Sequence, residues 1–379
     1  MKSIKACTNS SLELPDDASI LHLSPFPPDG EWGGAIRSQQ VFKVIKDTYP
    51  NSKILHVHQL PVRFLPDIPE WTNYNHSQLD DIIMMFKDYY TENYLDRIPD
   101  AISFDHPWLW EEAKKLKKMF PNAKLIHSSQ NIEFLLKSDL LKELPEDARI
   151  SAVKYVRELE EEIARECDLV LCITELDKLW FQNNGAKEVI AANNGTLATP
   201  QIVASPNRYA LVIGSGHPPN VEGSIKYLYD ATEWMPENSR LIYVGSVCDS
   251  IRGRIGKEIN PVRNTEVILL GIRSNEDLNK LIASASVILL PIPYGGGSNL
   301  KTAEAISSGR PIVGTTKSFR EFENFVTSRN TVVVDEVDDF KEACFNFVEE
   351  KLPTVYRYGH EKLLWKATLD PFRRYLAGE

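Results

Sequence analysis

The chain has 379 residues, 25% of them charged, and a formal net charge of -10. This describes a globular protein long enough for two domains, and its acidic balance excludes a broad nucleic-acid-binding surface. No apolar run approaches the roughly 20 residues that span a bilayer, and residues 1–7 lack a signal-peptide core, so a cytoplasmic location is expected. The five cysteines show no Cys-x-x-Cys spacing, which favours neither a disulfide framework nor a zinc site.

The first predicted unit is a strand at residues 20–23, a loop that ends in Gly33 and Gly34, and a helix from residue 36. A strand, a Gly-Gly turn and a helix are the start of a nucleotide-binding α/β unit. Arg37 lies one residue past the predicted start of the helix. A plain tight turn beside a solvated arginine is the alternative interpretation.

A second strand is predicted at residues 53–58, and residues 63–94 then depart from the regular alternation of strands and helices. Long irregular insertions are often where an enzyme meets its particular substrate. This one is rich in Pro, Trp and Tyr. Its aromatic side chains suit flat apolar ligand faces, or they simply anchor the insertion.

Two more strands, at residues 100–104 and 124–127, are each followed by a polar loop with a histidine in or beside it. Open parallel sheets bind ligands at the carboxyl ends of their strands, which makes His106 and His127 candidates for ligand contact. A hydrogen-bonded structural histidine is the alternative for each. Between these strands, residues 111–120 carry four lysines, which indicate a solvated helix face or, alternatively, a surface that docks on an anionic membrane.

The remaining chain alternates strands and helices. The predicted strands lie at residues 167–174, 187–192, 209–213, 240–244, 266–270, 287–290 and 331–335, and the clearest helices at 145–166, 300–306, 338–348 and 360–376. Residues 201–207 read as a linker between two domains. Polar or glycine-containing loops follow the strands of the second half, with Gly214, Ser215 and Asn220 in one and Gly271 and Arg273 in another.

Residues 287–315 carry the most informative pattern. A buried strand is followed by Gly295, Gly296 and Gly297, then by a helix that contains Lys301 and Glu304. Glycines before a helix leave backbone N–H groups aimed outward at the positive end of the helix dipole, where a phosphate can bind. A cation and a carboxylate three residues apart on that helix are the groups that a nucleoside diphosphate needs.

This segment resembles the C-terminal half of GT-B glycosyltransferases, specifically the retaining group called glycosyltransferase family 4. There the helix carries a Glu-Ala-x-x-x-Gly-x-Pro pattern, which here is residues 304–311. The resemblance implies an α/β fold of the GT-B type, with two Rossmann-like domains facing an interdomain cleft and a C-terminal helix crossing back to the N-terminal domain. The expected domains are residues 1–200 with 358–379, which bind the acceptor, and residues 201–357, which bind the nucleotide-sugar donor.

The resemblance also implies an activity: retaining transfer of a sugar from a UDP- or GDP-linked donor to a glycan, glycolipid or other hydroxyl acceptor, as in polysaccharide biosynthesis. No cofactor is expected, because the nucleotide sugar is a co-substrate. The absence of an Asp-x-Asp motif predicts that no metal is required. The expected location is the cytoplasm, with peripheral contact at the inner face of the membrane as an option.

Site residues follow from the same resemblance, in which Glu304 holds the ribose. Catalytic roles are expected for Lys301, Glu304, His106, His127 and Arg37. The expected donor-binding residues are Gly33, Gly34, Gly214, Ser215, Asn220, Gly271, Arg273, Gly295, Gly296, Gly297, Ser298, Asn299, Leu300 and Glu304.

The sequence departs from the family pattern at several points. Gly296 stands where many members have a sugar-binding Glu, Gln130 stands where they often have a His, and an Arg and Lys pair that follows the first loop of the second domain is missing. Diphosphate charge would then fall to Lys301, Arg37 or Arg273. A GT-B relative that has lost catalysis and binds a partner protein is the alternative from another class. An epimerase or phosphorylase on the same fold is a second enzymatic alternative.

Overall fold

The computed structural model describes residues 12–30, 33–56, 98–142, 145–196, 208–295, 299–327, 329–350, 356–357 and 359–379. The irregular insertion at 63–94 and the linker at 201–207 lie outside these residues. The chain forms two compact units, residues 1–193 with 369–379 and residues 194–368.

The first unit is built on a six-stranded parallel sheet with strand order β2-β1-β3-β4-β5-β6. The strands are β1 (Ile20–Ser24), β2 (Lys53–His56), β3 (Ala101–Asp105), β4 (Lys124–Ser128), β5 (Leu169–Cys172) and β6 (Val189–Ala191). Every residue of β1 and β3 is buried. Helices cover both faces of such sheets, which is why their strands are continuous apolar runs rather than alternating ones.

Five helices of the first unit precede the crossing to the second. They are α1 (Gly33–Thr48), α2 (Trp110–Met119), α3 (Glu133–Leu140), α4 (Glu146–Glu166) and α5 (Glu175–Asn183). Helix α4 buries Val156 and Ile163, as its apolar spacing predicts. Helix α5 begins at a capping box, in which the Thr174 hydroxyl accepts from the backbone of Asp177 and the Asp177 carboxylate accepts from the backbone of Thr174.

The second unit has a seven-stranded sheet with order β13-β12-β11-β7-β8-β10-β9. The strands are β7 (Tyr209–Ile213), β8 (Arg240–Val244), β9 (Ile259–Asn260), β10 (Thr265–Leu269), β11 (Val287–Leu290), β12 (Ile312–Gly314) and β13 (Thr331–Val333). All neighbours are parallel except β9, which pairs antiparallel with β10. The short edge strand β9 was not predicted, since two residues carry no periodicity.

The helices of the second unit connect these strands. They are α6 (Pro218–Leu228), α7 (Ala231–Trp234), α8 (Val247–Ile251), α9 (Asn275–Ser284), α10 (Leu300–Ser308), α11 (Val337–Glu349) and α12 (Trp365–Thr368). Helix α10 starts at an Asn299 cap and ends at Gly309, whose φ of 72° is the left-handed conformation that favours glycine at a helix end.

The end of the chain returns to the first unit, as predicted, but as separate pieces. A single helix over 360–376 is wrong: a short 3-10 turn at His360–Leu363 and helix α12 belong to the second unit, and only α13 (Asp370–Leu376) belongs to the first. Helix α13 packs on α1, and the Tyr49 hydroxyl donates to the Leu376 carbonyl at 2.6 Å. Pro371 in the first turn of α13 lacks the N–H that a continuous helix would require.

Candidate functional site

The strand order of the second sheet sets where a ligand can bind. Chain connections run to opposite sides of β7 and β11, which are hydrogen-bonded neighbours. The loops that leave their carboxyl ends therefore diverge, and open α/β sheets bind ligands in the crevice at such a switch point. These are the loops at residues 214–217 and 291–299, both of which the sequence singled out.

Helix α6 is held against the strand that leads to the glycine loop. A Cβ on Gly223 would lie 1.5 Å from the Pro291 carbonyl oxygen, so only glycine permits this approach. The Tyr294 hydroxyl also donates to Glu222 of α6 at 2.8 Å. The amino end of α6 and the glycine loop therefore lie side by side. Sequence reasoning missed Gly223, because its requirement comes from a tertiary contact.

The loop before α6 is held by its own polar groups. The Asn220 amide donates to the Ser215 carbonyl at 3.0 Å and to the Ser215 hydroxyl at 3.1 Å. A Cβ on Gly245 would lie 2.1 Å from the Gly214 carbonyl oxygen, and Gly245 has a φ of 104°. Asn220 and Ser215 thus shape this loop, and the predicted donor contact would come from its backbone.

The loop after β10 joins the same edge of the sheet. Gly245 donates its N–H to the Gly271 carbonyl at 2.8 Å, and Gly271 donates its own to the Cys248 sulfur at 3.3 Å. The Arg273 side chain is exposed, and one guanidinium nitrogen donates to the adjacent Ile272 carbonyl. The backbone at Gly271 is therefore fixed against the neighbouring loops, whereas Arg273 points to solvent.

The glycine loop leads directly into α10. Gly295 has a φ of 125°, while Gly296, Gly297 and Ser298 lie outside the described residues. The Asn299 side-chain oxygen accepts from the backbone N–H of Lys301 at 3.3 Å. Leu300 is the first residue of the helix. The amino end of α10 therefore begins where the loop ends, as the sequence predicted.

Lys301 and Glu304 are partly buried on α10. Among the described residues, neither side chain has a hydrogen-bond or ion-pair partner. Burial raises the pKa of Glu304 to about 7, and the nearby charge of Lys301 only partly opposes this rise. Burial also lowers the pKa of Lys301. An ionised pair held in this state is stabilised when a ligand supplies an anion to the lysine and hydroxyls to the carboxylate.

A further cation lies at the glycine loop that the sequence reasoning did not identify. A Cβ built on Gly295 would have the Arg320 guanidinium at 3.8 Å and the Pro219 ring at 3.9 Å. Arg320 follows β12, which pairs directly with β11. Its presence depends on that strand pairing, so no local sequence signal could have found it.

Three loops meet at the switch point of the first sheet, between β1 and β3. The Gln130 amide donates to the Gly34 carbonyl at 3.0 Å, one residue past Gly33, where α1 begins. The Phe26 ring is 5.4 Å from the His106 ring, and the His106 Nδ1 atom is 3.6 Å from a Glu133 carboxylate oxygen. His106 has a φ of 61°, a conformation that is uncommon outside glycine and often marks a functional site.

His127 is not part of this surface. It is fully buried between Phe104 and Phe181, with ring centroids 4.8 and 6.1 Å away. Burial lowers its pKa to about 3, so the ring is neutral at physiological pH. The candidate catalytic role for His127 is therefore not supported, because its side chain points into the sheet's core side rather than toward the loops.

Arg37 also differs from its predicted role. The guanidinium is 1% exposed and donates to the carbonyls of Ala192, at 2.9 Å, and Cys172, at 3.3 Å. These carbonyls lie at the carboxyl ends of β5 and β6. Arg37 therefore ties helix α1 to two strand ends, and the structure gives it a stabilising role inside the first unit rather than a catalytic one.

A buried carboxyl organises the loop that carries Glu133. Glu160 of α4 accepts from the backbone N–H groups of Glu133, at 2.7 Å, and Phe134, at 2.9 Å, at the start of α3. Burial, together with the smaller effect of the Glu133 charge, raises the pKa of Glu160 to about 8 against the opposing effect of the two backbone donors. The side chain of Glu160, which is titratable, thus holds in place the loop that carries Glu133 beside His106.

Two of the four lysines in the run on α2, Lys114 and Lys117, bond to neighbouring groups of the protein. Lys114 forms ion pairs with Glu111 and Glu162, and Lys117 donates to two backbone carbonyls. These contacts favour the solvated helix face over a membrane-docking surface. Within the described part of the chain, no helix is long and apolar enough to cross a membrane. The same residues contain no group of three or more His, Cys, Asp or Glu side chains placed to hold a metal ion.

Two α/β domains, each built on a largely parallel sheet, are the GT-B architecture expected from the sequence, and solved structures confirm that prediction. Sucrose-phosphate synthase from Thermosynechococcus elongatus is similar over 96% of this chain and 100% of that chain, with a TM-score of 0.69 and 14% identity. HepE from Anabaena, in complex with UDP-glucose, is similar over 95% and 100%, with a TM-score of 0.63 and 14% identity. At these identities the likeness shows the fold.

The family comparison concerns the second unit. Residues 207–350 match the family model described as Glycosyl transferases group 1. The resemblance of the second unit to group 1 glycosyltransferases is therefore confirmed. No curated protein matches the chain in sequence.

Proposed function

We propose that this protein is a retaining glycosyltransferase of family 4 that moves a sugar from a nucleotide-diphosphate sugar to a hydroxyl acceptor. Support comes from the group 1 glycosyltransferase domain over residues 207–350 and from the loops at the β7–β11 switch point. UDP is the first nucleotide to test, because HepE was solved with UDP and with UDP-glucose.

The observation that best supports this proposal is the environment of Lys301 and Glu304 on α10. Lys301 and Glu304 lie one turn apart behind the glycine loop, partly buried, without partners among the described residues. A nucleoside diphosphate satisfies both, because its phosphates are anions and its ribose hydroxyls are donors. The amide groups at the start of α10 add further donors for the phosphates.

The same groups can act on the reaction itself. As the bond from sugar to phosphate breaks, negative charge grows on the leaving diphosphate, and Lys301 and the loop amides oppose it without rearranging. In a retaining mechanism the leaving phosphate oxygen takes the proton of the attacking acceptor hydroxyl on the same face of the sugar. The protein then needs electrostatic stabilisation more than a separate base, and we propose that no metal is required.

We propose that the loops of the first unit bind the acceptor. The Phe26 ring offers a flat apolar face, and His106, Gln130 and Glu133 offer polar groups around it. A sugar ring combines an apolar face with polar edges, which suits this set of side chains. A glycan or glycolipid acceptor is consistent with this chemistry.

The test begins with the full chain and a panel of UDP-, GDP- and dTDP-sugars, each scored for thermal stabilisation. The donors that stabilise the protein are then incubated with it and a mixture of carbohydrate acceptors, with and without EDTA. We expect nucleotide release that depends on acceptor and persists in EDTA. Stabilisation without release under any condition would instead favour the partner-binding alternative, and loss of release in EDTA would contradict metal independence.

A further inference from the structure

We propose that Arg320 binds the diphosphate of the nucleotide donor, supplying the positive charge that the first loop of this domain lacks. This inference rests on the proposed function, since it assigns a residue to the same donor site. Nothing in the local sequence marks Arg320, which lies after β12 and outside the motif of residues 287–315.

The position of the guanidinium is the first observation. Its Nη2 atom lies 3.8 Å from the point that a Cβ on Gly295 would occupy, and the Pro219 ring at the start of α6 lies 3.9 Å from that point. The Nη1 atom donates to the Lys317 carbonyl at 2.6 Å, which fixes the plane of the fork. The cation is therefore held beside the glycine loop and the amino end of α6, where the phosphates are expected.

The turn that carries Arg320 is anchored to the same elements. The Thr302 hydroxyl of α10 donates to the Ser318 carbonyl at 2.6 Å, and the Ser318 and Thr315 hydroxyls donate to the carbonyls of Leu290 and Ile292. The strand end that leads to the glycine loop, the helix with Lys301, and the Arg320 turn therefore form one bonded unit. The backbone that leads into Arg320 is therefore held in place relative to the strand end and to α10.

Two buried aromatic residues flank the arginine. Phe319 and Phe322 are each 1% exposed. A Cβ on Gly314 would lie 2.8 Å from the Phe319 ring, so the glycine at the end of β12 makes room for it. Arg320 itself is only partly buried. A charged side chain between two buried anchors, held at the mouth of a loop, is pre-positioned to contact a ligand at low entropic cost.

The charge of a nucleoside diphosphate also calls for a second cation at the donor site. A nucleoside diphosphate carries more negative charge than Lys301 alone can balance, and Arg273 is exposed and bonded to its own loop. An arginine fork can pair with two phosphate oxygens through two parallel N–H bonds in a fixed plane, whereas a lysine ammonium acts as a point charge without that geometry. Lys301 from α10 and Arg320 from the neighbouring turn together supply two cations from two separate elements.

The experiment compares Arg320→Ala with Arg240→Ala as a control. Arg240 is an exposed arginine at the amino end of β8, where it pairs with Glu266. Affinity is measured by calorimetry for UDP, GDP and dTDP, and for uridine, guanosine and thymidine, which lack phosphates. We expect Arg320→Ala to weaken binding of the preferred diphosphate by about tenfold or more, since a charge-assisted contact is lost. Nucleoside binding and the Arg240→Ala variant stay at the wild-type values.

A second variant, Arg320→Gln, keeps hydrogen-bond donors without the charge and serves if the alanine variant does not fold. It is expected to show the same selective loss. Wild-type diphosphate affinity in the folded Arg320 variant, or an equal loss for nucleoside and diphosphate, overturns the role of Arg320 while leaving the proposed function intact. A wild-type protein that binds none of UDP, GDP and dTDP overturns the proposed function itself.

Discussion

At the carboxyl edge of the first sheet, buried polar and charged side chains are bonded to one another or to the backbone. Arg37 donates to two strand-end carbonyls, and the His22 ring lies 3.2 Å from a carboxylate oxygen of Asp105, with both side chains fully buried. At the same edge of the second sheet, Lys301 and Glu304 have no such partner among the described residues.

This difference separates two uses of buried charge. A satisfied polar network holds strand ends and helices together, and its removal lowers stability. A charged pair that is partly buried without partners lowers the stability of the free protein. A ligand that supplies the missing contacts removes this cost, and its affinity is higher for that reason. The first sheet's network is therefore expected to matter for folding, and the second sheet's pair for binding and turnover.

Replacing the unpartnered lysine gives the largest expected effect. Lys301→Ala should lower turnover by about a hundredfold or more, the size expected when one preorganised group opposing developing charge is lost. Its melting temperature should stay unchanged or rise, because no ion pair is broken. Lys280→Ala is the control, since Lys280 is exposed on α9 and pairs with Glu276. A near-normal rate for Lys301→Ala would remove that lysine from the mechanism.

The corresponding change in the first sheet should act on stability alone. Arg37→Met leaves the carbonyls of Cys172 and Ala192 without a buried donor, which should lower the free energy of unfolding by about 2 kcal/mol. Arg165→Met, on the exposed last turn of α4, controls for loss of charge. Urea denaturation measures the change. A specific loss of turnover in stably folded Arg37→Met would instead restore the catalytic role expected from the sequence.

The pH dependence of nucleotide binding tests the carboxyl on α10. With a pKa of about 7, Glu304 is mostly ionised at pH 8 and mostly protonated at pH 6, and the ionised form is the better acceptor for ribose hydroxyls. Affinity for the preferred nucleoside diphosphate should therefore fall by about tenfold from pH 8 to pH 6 through this residue. Calorimetry on wild type and Glu304→Gln checks it, and an identical pH profile for the two contradicts it.

The stability of the free protein should change in the opposite direction. The folded pKa of Glu304 lies above its ordinary value of 4.5, so the stabilisation that its protonated form gives is complete below about pH 4.5 and is lost as pH rises through 7. Ligand binding and free-protein stability thus respond to this proton with opposite signs.

The smallest effect is expected at the buried carboxyl of the first unit. The pKa of Glu160 is about 8 rather than 4.5, so stability is lost as pH rises through 8, by about 1 kcal/mol between pH 7 and pH 9. Glu160→Gln should remove this loss. Denaturation of both proteins at the two pH values measures it, and equal slopes would show that Glu160 is already ionised at pH 7.

Much of the fold followed from local patterns. Continuous apolar runs located β3 and β11, helical spacing located α4, and glycine with a following proline located the end of α10. The glycine loop and the Lys301 and Glu304 pair were predicted because loop and helix are adjacent in sequence. Their local geometry does not depend on how distant strands pair.

The parts that could not be predicted depend on tertiary contacts. Helical spacing placed Arg37 on α1, but its hydrogen-bond partners are the Cys172 and Ala192 carbonyls, which are far away in the sequence. His127 lies at a strand end, yet the alternation of side chains along β4 places it on the same face as Leu125, against Phe104 and Phe181 of the core. Arg320 reaches Gly295 only because β12 pairs with β11.

The most direct test is a crystal structure of the full chain with UDP, or with whichever nucleoside diphosphate stabilises it most. We expect the phosphates to lie against the amides at the start of α10, within hydrogen-bond distance of Lys301 and Arg320. The ribose hydroxyls should donate to Glu304. A nucleotide bound elsewhere, or a ribose turned away from Glu304, would contradict this expectation.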